Sequence, residues 1–337
     1  MKILKKLLEQ IDLTNRRQNL FHKKDSLLLA VSGGSDSLAL LVLLDTLKNK
    51  YRWRLAVAHV DHGLQRNRRQ AQRIVEQYCR ERALPFYSKK VNLRASAKRH
   101  KISLEDAGRF ERYRFFEQTA GRLGADKIVT AHTADDQAET VLMRLFRGAG
   151  FRGLSGIPFK RRSGGHTLVR PLLACSKKDL TALLKERRLP FVPDPSNRDV
   201  QFLRNRVRHQ LLPMLRRSFN PRVDEQLISL QNICRDVQRL IDKQAARHYA
   251  RCVLKSNARE VRFKLRTLDR LDPAIESEVI LLALSHLKGD GAGFGYSHIQ
   301  AILDLVRSGR PEAQTHLPHG LRAVKTKQEL RLQKTIH

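Results

Sequence analysis

Residues 27–44, LLLAVSGGSDSLALLVLL, form an apolar run interrupted once, by the six small polar residues Ser32, Gly33, Gly34, Ser35, Asp36 and Ser37. Leu27 to Val31 is short and wholly apolar, as expected of a strand covered on both faces. Leu38 to Leu47 is Leu-rich with polar Asp45 on one side, as expected of a mostly buried helix. A strand that feeds a helix through a glycine turn presents unpaired backbone N–H groups at the positive end of the helix dipole, which is an anion site. Glycine permits positive φ and the close approach of a phosphate. The Lys-terminated phosphate loop is excluded, because no Lys stands between Ser26 and Thr46. The GxGxxG dinucleotide spacing is absent as well. With Asp36 where a Lys would stand, the backbone holds phosphates and Asp36 holds a Mg²⁺ that neutralises them.

The charge points to a large anionic partner. The 337 residues carry 66 Lys and Arg against 33 Asp and Glu, a net charge of +33. Nucleic acid is the first candidate and an anionic membrane surface the second. Cys79, Cys175, Cys234 and Cys252 are far apart and form no CxxC, which argues against a zinc ribbon or iron–sulfur site and suits a reducing cytoplasm. The opening MKILKKLLEQIDL lacks the apolar core of a signal peptide, since Glu9 and Asp12 arrive too soon; its Ile3, Leu4, Leu7, Leu8, Ile11 spacing predicts a short amphipathic helix. No apolar run is long enough to span a bilayer, and with nucleic acid ranked ahead of a membrane surface no membrane partner is expected.

From residue 27 to about 190, strand and helix patterns alternate. Strands are expected at 27–31, 54–60, 86–91, 127–131 and 166–173, with helices at 67–83, 103–123, 136–146 and 176–188 between or after them. Such alternation predicts an α/β fold: a parallel sheet with helices on both faces, and ligands beyond the carboxyl ends of its strands. Three polar clusters fall there: SGGSDS, then HVDHG with His59, Asp61 and His62, then HTADDQAET with His132, Asp135, Asp136, Gln137 and Glu139. A His/Asp metal site ranks below nucleotide binding, because neither spacing matches a compact zinc template. The stretch SLEDAGRFERYRFFEQ places Glu105, Arg109 and Arg112 on one helix face, where Arg109 or Arg112 could steady charge on a phosphate. Residues 147–166 contain six glycines and Lys160, Arg161 and Arg162, and read as a solvated connection or a mobile RNA-gripping loop. After a rigid PDPSN turn, a helix rich in unmatched cations, including Arg204, Arg206 and Arg208, leans towards phosphate contact. Beyond Asn220 the chain reads as mainly helical to about 308, with a short hairpin near 316–334. The expected division is an N-terminal helix (1–24), an α/β nucleotide-binding domain (25–217) and a mainly helical nucleic-acid-binding domain (218–337).

SGGSDS in its strand–loop–helix setting resembles the pyrophosphate loop of ATP pyrophosphatases, of the adenine nucleotide α-hydrolase-like fold, which split ATP into AMP and pyrophosphate. AVSGGSDS, HVDHGL, EDAGRFERYRFF, TAHTADDQAETVLMRLFRGAGFRGLSGI, RPLL and DPSNRDVQFLRNRVR, in that order over roughly 25–215, resemble the tRNA(Ile)-lysidine synthetase family. The chain beyond is shorter than the C-terminal region of some members. The resemblance implies a cytoplasmic ligase that adenylates C2 of the wobble cytidine in isoleucine tRNA with a CAU anticodon, then admits free L-lysine to give lysidine. It implies ATP and Mg²⁺ as cofactors. Ser32 to Ser37, His59, Asp61 and His132 would hold the nucleotide and Asp36 the metal. Asp36, Arg112, Asp136 and Glu139 would be catalytic, with Asp136 or Glu139 holding the lysine ammonium and taking its proton. Lys160, Arg161, Arg162, Arg204, Asn205, Arg206 and Arg208 would meet the RNA. The oligomeric state stays open, with a homodimer as one option. Two other classes compete: a non-catalytic RNA-binding protein on a nucleotide-binding scaffold, which would bind RNA without turnover, and a small-molecule ligase, which would turn over without tRNA.

Overall fold

A computed structural model of the chain describes residues 2–61, 68–192, 200–289, 293–310 and 312–335. His62, the expected turn at 193–197 and residues 290–292 lie outside the described residues. The chain forms two compact units: the described residues of Met1–Gly148 with Gly156–Gln231, and of Ala149–Ser155 with Asn232–His337. The boundary falls inside one helix, Val223–Cys252, whose unbroken periodicity gives no sign of it.

The first unit contains β1 (Ser26–Ala30), β2 (Arg54–Asp61), β3 (Phe86–Lys90), β4 (Lys127–Val129), β5 (Lys160–Ser163) and β6 (His166–Val169) in the order β3-β2-β1-β4-β6-β5. All neighbours are parallel except β5, which is antiparallel to β6 at the edge. Because successive side chains face opposite ways, Leu27 and Leu29 enter one core and Leu28 the other. The first core takes the helices Ser35–Tyr51 and Lys177–Glu186, together with Leu7 and Ile11 of the N-terminal helix. The amphipathic N-terminal helix is thus part of this unit. The second core takes Phe115, Phe116 and Ala120 of the helix Leu104–Leu123. Covering both faces leaves only the strand ends open, which is where the polar clusters stand.

The expected loop at 147–166 is not one. Phe151–Leu154 is a helical turn whose Arg152 pairs with Asp242 and Glu278 within the second unit. Lys160, Arg161 and Arg162 lie on β5, in a hairpin with β6. The reason is Gly164-Gly165, both at positive φ (53° and 85°), as a two-residue hairpin turn requires.

The second unit is less helical than its sequence suggests. It holds β7 (Val253–Ser256), β8 (Glu260–Lys264), β9 (Gln314–Leu317), β10 (Leu321–Lys325) and β11 (Glu329–Lys334), an antiparallel sheet in the order β7-β8-β11-β10-β9. The expected C-terminal hairpin is there as β10 and β11, extended on both sides. Val261 and Phe263, with Leu330 and Leu332, share a core with the helices Pro273–Lys288 and Tyr296–Arg307.

Candidate active site

The six-residue interruption folds as the sequence demands. Gly33 sits at φ 87°, and a Cβ there would come within 2.8 Å of the Ala71 Cβ and 3.0 Å of its carbonyl oxygen. Gly34 is the N-cap of Ser35–Tyr51 and supplies no side-chain cap, so the first turn offers its N–H groups outward. Ser37 closes the loop from inside: its Oγ accepts from the Ser32 N–H at 3.1 Å, donates to the Gly34 carbonyl at 3.0 Å and lies 3.1 Å from the Ser32 Oγ. Ser35 donates to Asp36 at 3.0 Å.

Sequence reasoning missed one member of this loop. Lys177, in the first turn of Lys177–Glu186, places its Nζ 3.5 Å from Asp36, and its backbone N–H donates to Asp135 at 2.8 Å. The loop therefore has a lysine, delivered by the helix that follows β6 rather than by its own helix. Burial pushes the Asp36 carboxyl above its ordinary range; Lys177 and Ser35 oppose this, and the nearby Asp136 adds to it. A desolvated carboxylate suits a divalent cation that takes hard oxygen ligands. Among the described residues no group of three His, Cys, Asp or Glu could hold a metal by itself. A carboxylate donor fits Mg²⁺ completing its shell with phosphate oxygens and water.

The next strand, β4, supplies the second cluster. Thr133 caps the helix Ala134–Leu145, and the Asp136 side chain accepts from the Thr133 N–H at 2.8 Å, forming a capping box that fixes the carboxylate. Its other oxygen lies 3.4 Å from Arg208 and 3.8 Å from Arg204. Although burial opposes it, Arg204, the Thr133 N–H and Arg208 hold the Asp136 carboxyl below the usual range, so it is ionised. Glu139 is 1% exposed, and both of its oxygens are occupied. Arg204 Nε donates to Oε2 at 2.9 Å, Arg208 Nη2 donates to the same oxygen at 3.0 Å, and Arg208 Nε donates to Oε1. Arg204 and Arg208, expected on RNA, thus face carboxylates; Asn205 is buried and Arg206 exposed.

The two histidines are neutral. His59 is buried beyond the end of β1, its Nδ1 2.9 Å from the Val31 carbonyl, and burial lowers its pKa. That contact ties the ends of β1 and β2 and leaves Nε2 as the ring nitrogen that could meet a nucleotide; Asp61 ends β2. Burial pushes His132 down to about 4, with Asp136 opposing and Arg170, Arg204 and Arg109 reinforcing. Arg112 is exposed on Leu104–Leu123. The structure thus gathers Ser32–Ser37, His132, Asp136, Glu139, Arg204 and Arg208 at adjoining strand ends, with Lys160, Arg161 and Arg162 on the edge strand.

The PP-loop domain family matches residues 4–215. The chain is 38% identical over 325 residues to the tRNA(Ile)-lysidine synthase of Geobacter sulfurreducens, covering 96% of this chain and 68% of that one. It is 29% identical to the Caldanaerobacter subterraneus protein of the same name, over 97% of this chain and 69% of that one. It is 33% identical to the bifunctional protein TilS/HprT of Listeria monocytogenes, of which it spans about half, 49%, while 94% of this chain is matched. Among solved structures it is similar to the U34-tRNA thiolase NcsA of Methanococcus maripaludis, with a TM-score of 0.55 at 13% identity over 69% of this chain and 78% of that one, a likeness of fold. The four cysteines here are all buried and free.

Proposed function

This chain belongs to the PP-loop domain family and, within it, to the tRNA(Ile)-lysidine synthases, and on that premise we propose how its own residues make lysidine. It is an ATP-using ligase that forms a C–N bond on tRNA. The substrates are an isoleucine tRNA with a CAU anticodon and free L-lysine, and the products include AMP and pyrophosphate. The non-catalytic scaffold reading is not favoured, since it leaves the desolvated Asp36 and its Lys177 partner without a task.

A cytosine C2 oxygen leaves poorly until it is adenylated. The N–H groups of the Gly33–Ser37 turn hold the β and γ phosphates, and this presents the α-phosphate to that oxygen. Asp36 would hold Mg²⁺, which when bound would neutralise the departing pyrophosphate. Lys177 adds a fixed positive charge on the same side. Lysine must attack as the free amine, although its ordinary pKa is about 10.4. The guanidiniums of Arg204 and Arg208 disfavour a further cation, so the incoming ammonium sheds its proton, which the ionised Asp136 relays to solvent. Of the two carboxylates left open by sequence, Asp136 suits this task. Its Oδ1 has only long contacts, whereas both Glu139 oxygens are taken. Glu139 positions the arginines. The target base leaves the anticodon stack to reach the site.

The observation that carries this reading is Asp36 in the first turn of the helix that opens at the glycine turn, with Lys177 Nζ 3.5 Å from its carboxylate. The test supplies protein, Mg²⁺, ATP, labelled lysine and transcripts of the isoleucine tRNA. Label enters the CAU transcript and not one whose wobble cytidine is uridine, with AMP formed in step. ADP formation, or AMP formation without tRNA, would overturn it.

A further inference from the structure

We propose that Arg109, Arg161, Arg170 and Tyr113 form an oxyanion subsite that receives a backbone phosphate of the RNA strand beside the cytidine being modified. The inference rests on the tRNA reading above and adds a specific contact to it.

Arg170 follows β6 directly, at the same sheet edge as the β4 cluster, and the Thr130 N–H bonds the neighbouring Val169 carbonyl at 3.0 Å. It is 3% exposed. Its Nη1 donates to the Pro158 carbonyl at 2.7 Å, and its Nε has no partner among the described residues. Above it, Tyr113 is flanked by two more guanidiniums, Arg109 at 5.4 Å and Arg161 at 5.1 Å from the ring centre. Among the described residues none of the three arginines forms an ion pair, unlike Arg204 and Arg208. Burial, with Arg161 and Arg109 nearby, lowers Arg170 to about 10. Although burial opposes it, Arg170, Arg109 and Arg161 lower the Tyr113 phenol. Three unneutralised guanidiniums around a buried nitrogen are costly unless an anion joins them, and guanidinium prefers the paired oxygens of phosphate or carboxylate.

Two oxyanions of the reaction could fit: an RNA phosphate and the lysine carboxylate. The setting favours the phosphate. Arg109 is exposed and Arg161 half-buried, and Arg161 lies between exposed Lys160 and Arg162 on β5, so the cluster opens onto a basic edge. A single carboxylate needs no such approach. ATP phosphates have their own site on the β1 turn, two strands away.

The test compares R109Q/R161Q with K160Q/R162Q, which removes equal charge from the outward side of the same edge, and with Y113F. tRNA affinity is measured across a salt series without ATP or lysine. KM for lysine is measured separately. Melting temperature checks each fold. R109Q/R161Q should weaken tRNA binding about tenfold and lower the salt slope by roughly 0.7, one phosphate contact on a single strand. KM for lysine should stay within about twofold. An equal loss in K160Q/R162Q would reduce the effect to general charge and overturn the subsite. A raised KM for lysine with unchanged tRNA binding would assign the cluster to the amino-acid carboxylate and also overturn it. If the wild-type protein binds tRNA but incorporates no lysine, the functional reading fails while the subsite is still judged by the binding data.

Discussion

Replacing Glu139 by Gln is the sharpest probe of how the site is held. The carboxylate receives three charge-assisted hydrogen bonds from Arg204 and Arg208 in a setting 1% exposed to solvent. An amide keeps the shape but turns one acceptor into a donor. With its nitrogen at the Oε2 position it would face two guanidinium N–H groups, and at Oε1 only one, so it should settle with the nitrogen at Oε1. One charged hydrogen bond is then lost, worth about 1.5–3 kcal/mol, and an opposed pair of donors replaces it. Water recovers part of this, because the Arg204 side chain is 40% exposed and that of Arg208 22%. The expected loss is about 2 kcal/mol, read as a lower urea midpoint with an unchanged slope. E139A leaves both arginines without their main partner and should cost more, towards ~3 kcal/mol. Lysine incorporation should fall in both while tRNA affinity falls little. E139Q within about 0.5 kcal/mol of wild type, or E139A no worse than E139Q, would refute the view of Glu139 as the anchor of these arginines.

G33A should fold poorly at the loop and lose AMP formation, since an L-residue is strained at φ 87° and its Cβ would press on Ala71; AMP formation above about a tenth of wild type would contradict this. D36N should abolish AMP formation, keep tRNA binding and raise the melting temperature of the free protein near neutral pH. The sign follows from a folded-state pKa above the unfolded one, so that ionising Asp36 costs stability as pH rises past 3.8, its ordinary value. His132 works in the opposite sense. Its pKa falls from 6.5 to about 4 on folding, so the unfolded chain binds more protons in that window and stability drops as pH falls through it. H132N should flatten that part of the pH–stability curve, and an unchanged curve would show that His132 is not buried neutral.

Much of this site was legible because its chemistry is local. The SGGSDS turn, the capping of Ala134–Leu145 and the alternation of strands and helices are each written within a few residues. What stayed hidden depends on distance along the chain. Arg204 and Arg208 look unmatched beside their neighbours, yet their acids lie on a helix more than sixty residues earlier. Lys177 joins Asp36 only because the turn after β6 brings its helix to the β1 loop. The hairpin of β5 and β6 was legible in Gly164-Gly165 but was masked by the charge of KRRS. β7 and β8 are short and polar on one face, so their alternation is lost between long helices.

The most direct measurement follows the oxygen. A tRNA carrying heavy oxygen at C2 of its wobble cytidine is converted by the protein with ATP and lysine, and the released AMP is weighed by mass spectrometry. Activation of C2 by adenylation at the β1 turn predicts that the heavy oxygen leaves the base in the phosphate of AMP, one atom for each lysine joined. Heavy oxygen retained in the RNA, or released into water with light AMP, would contradict it.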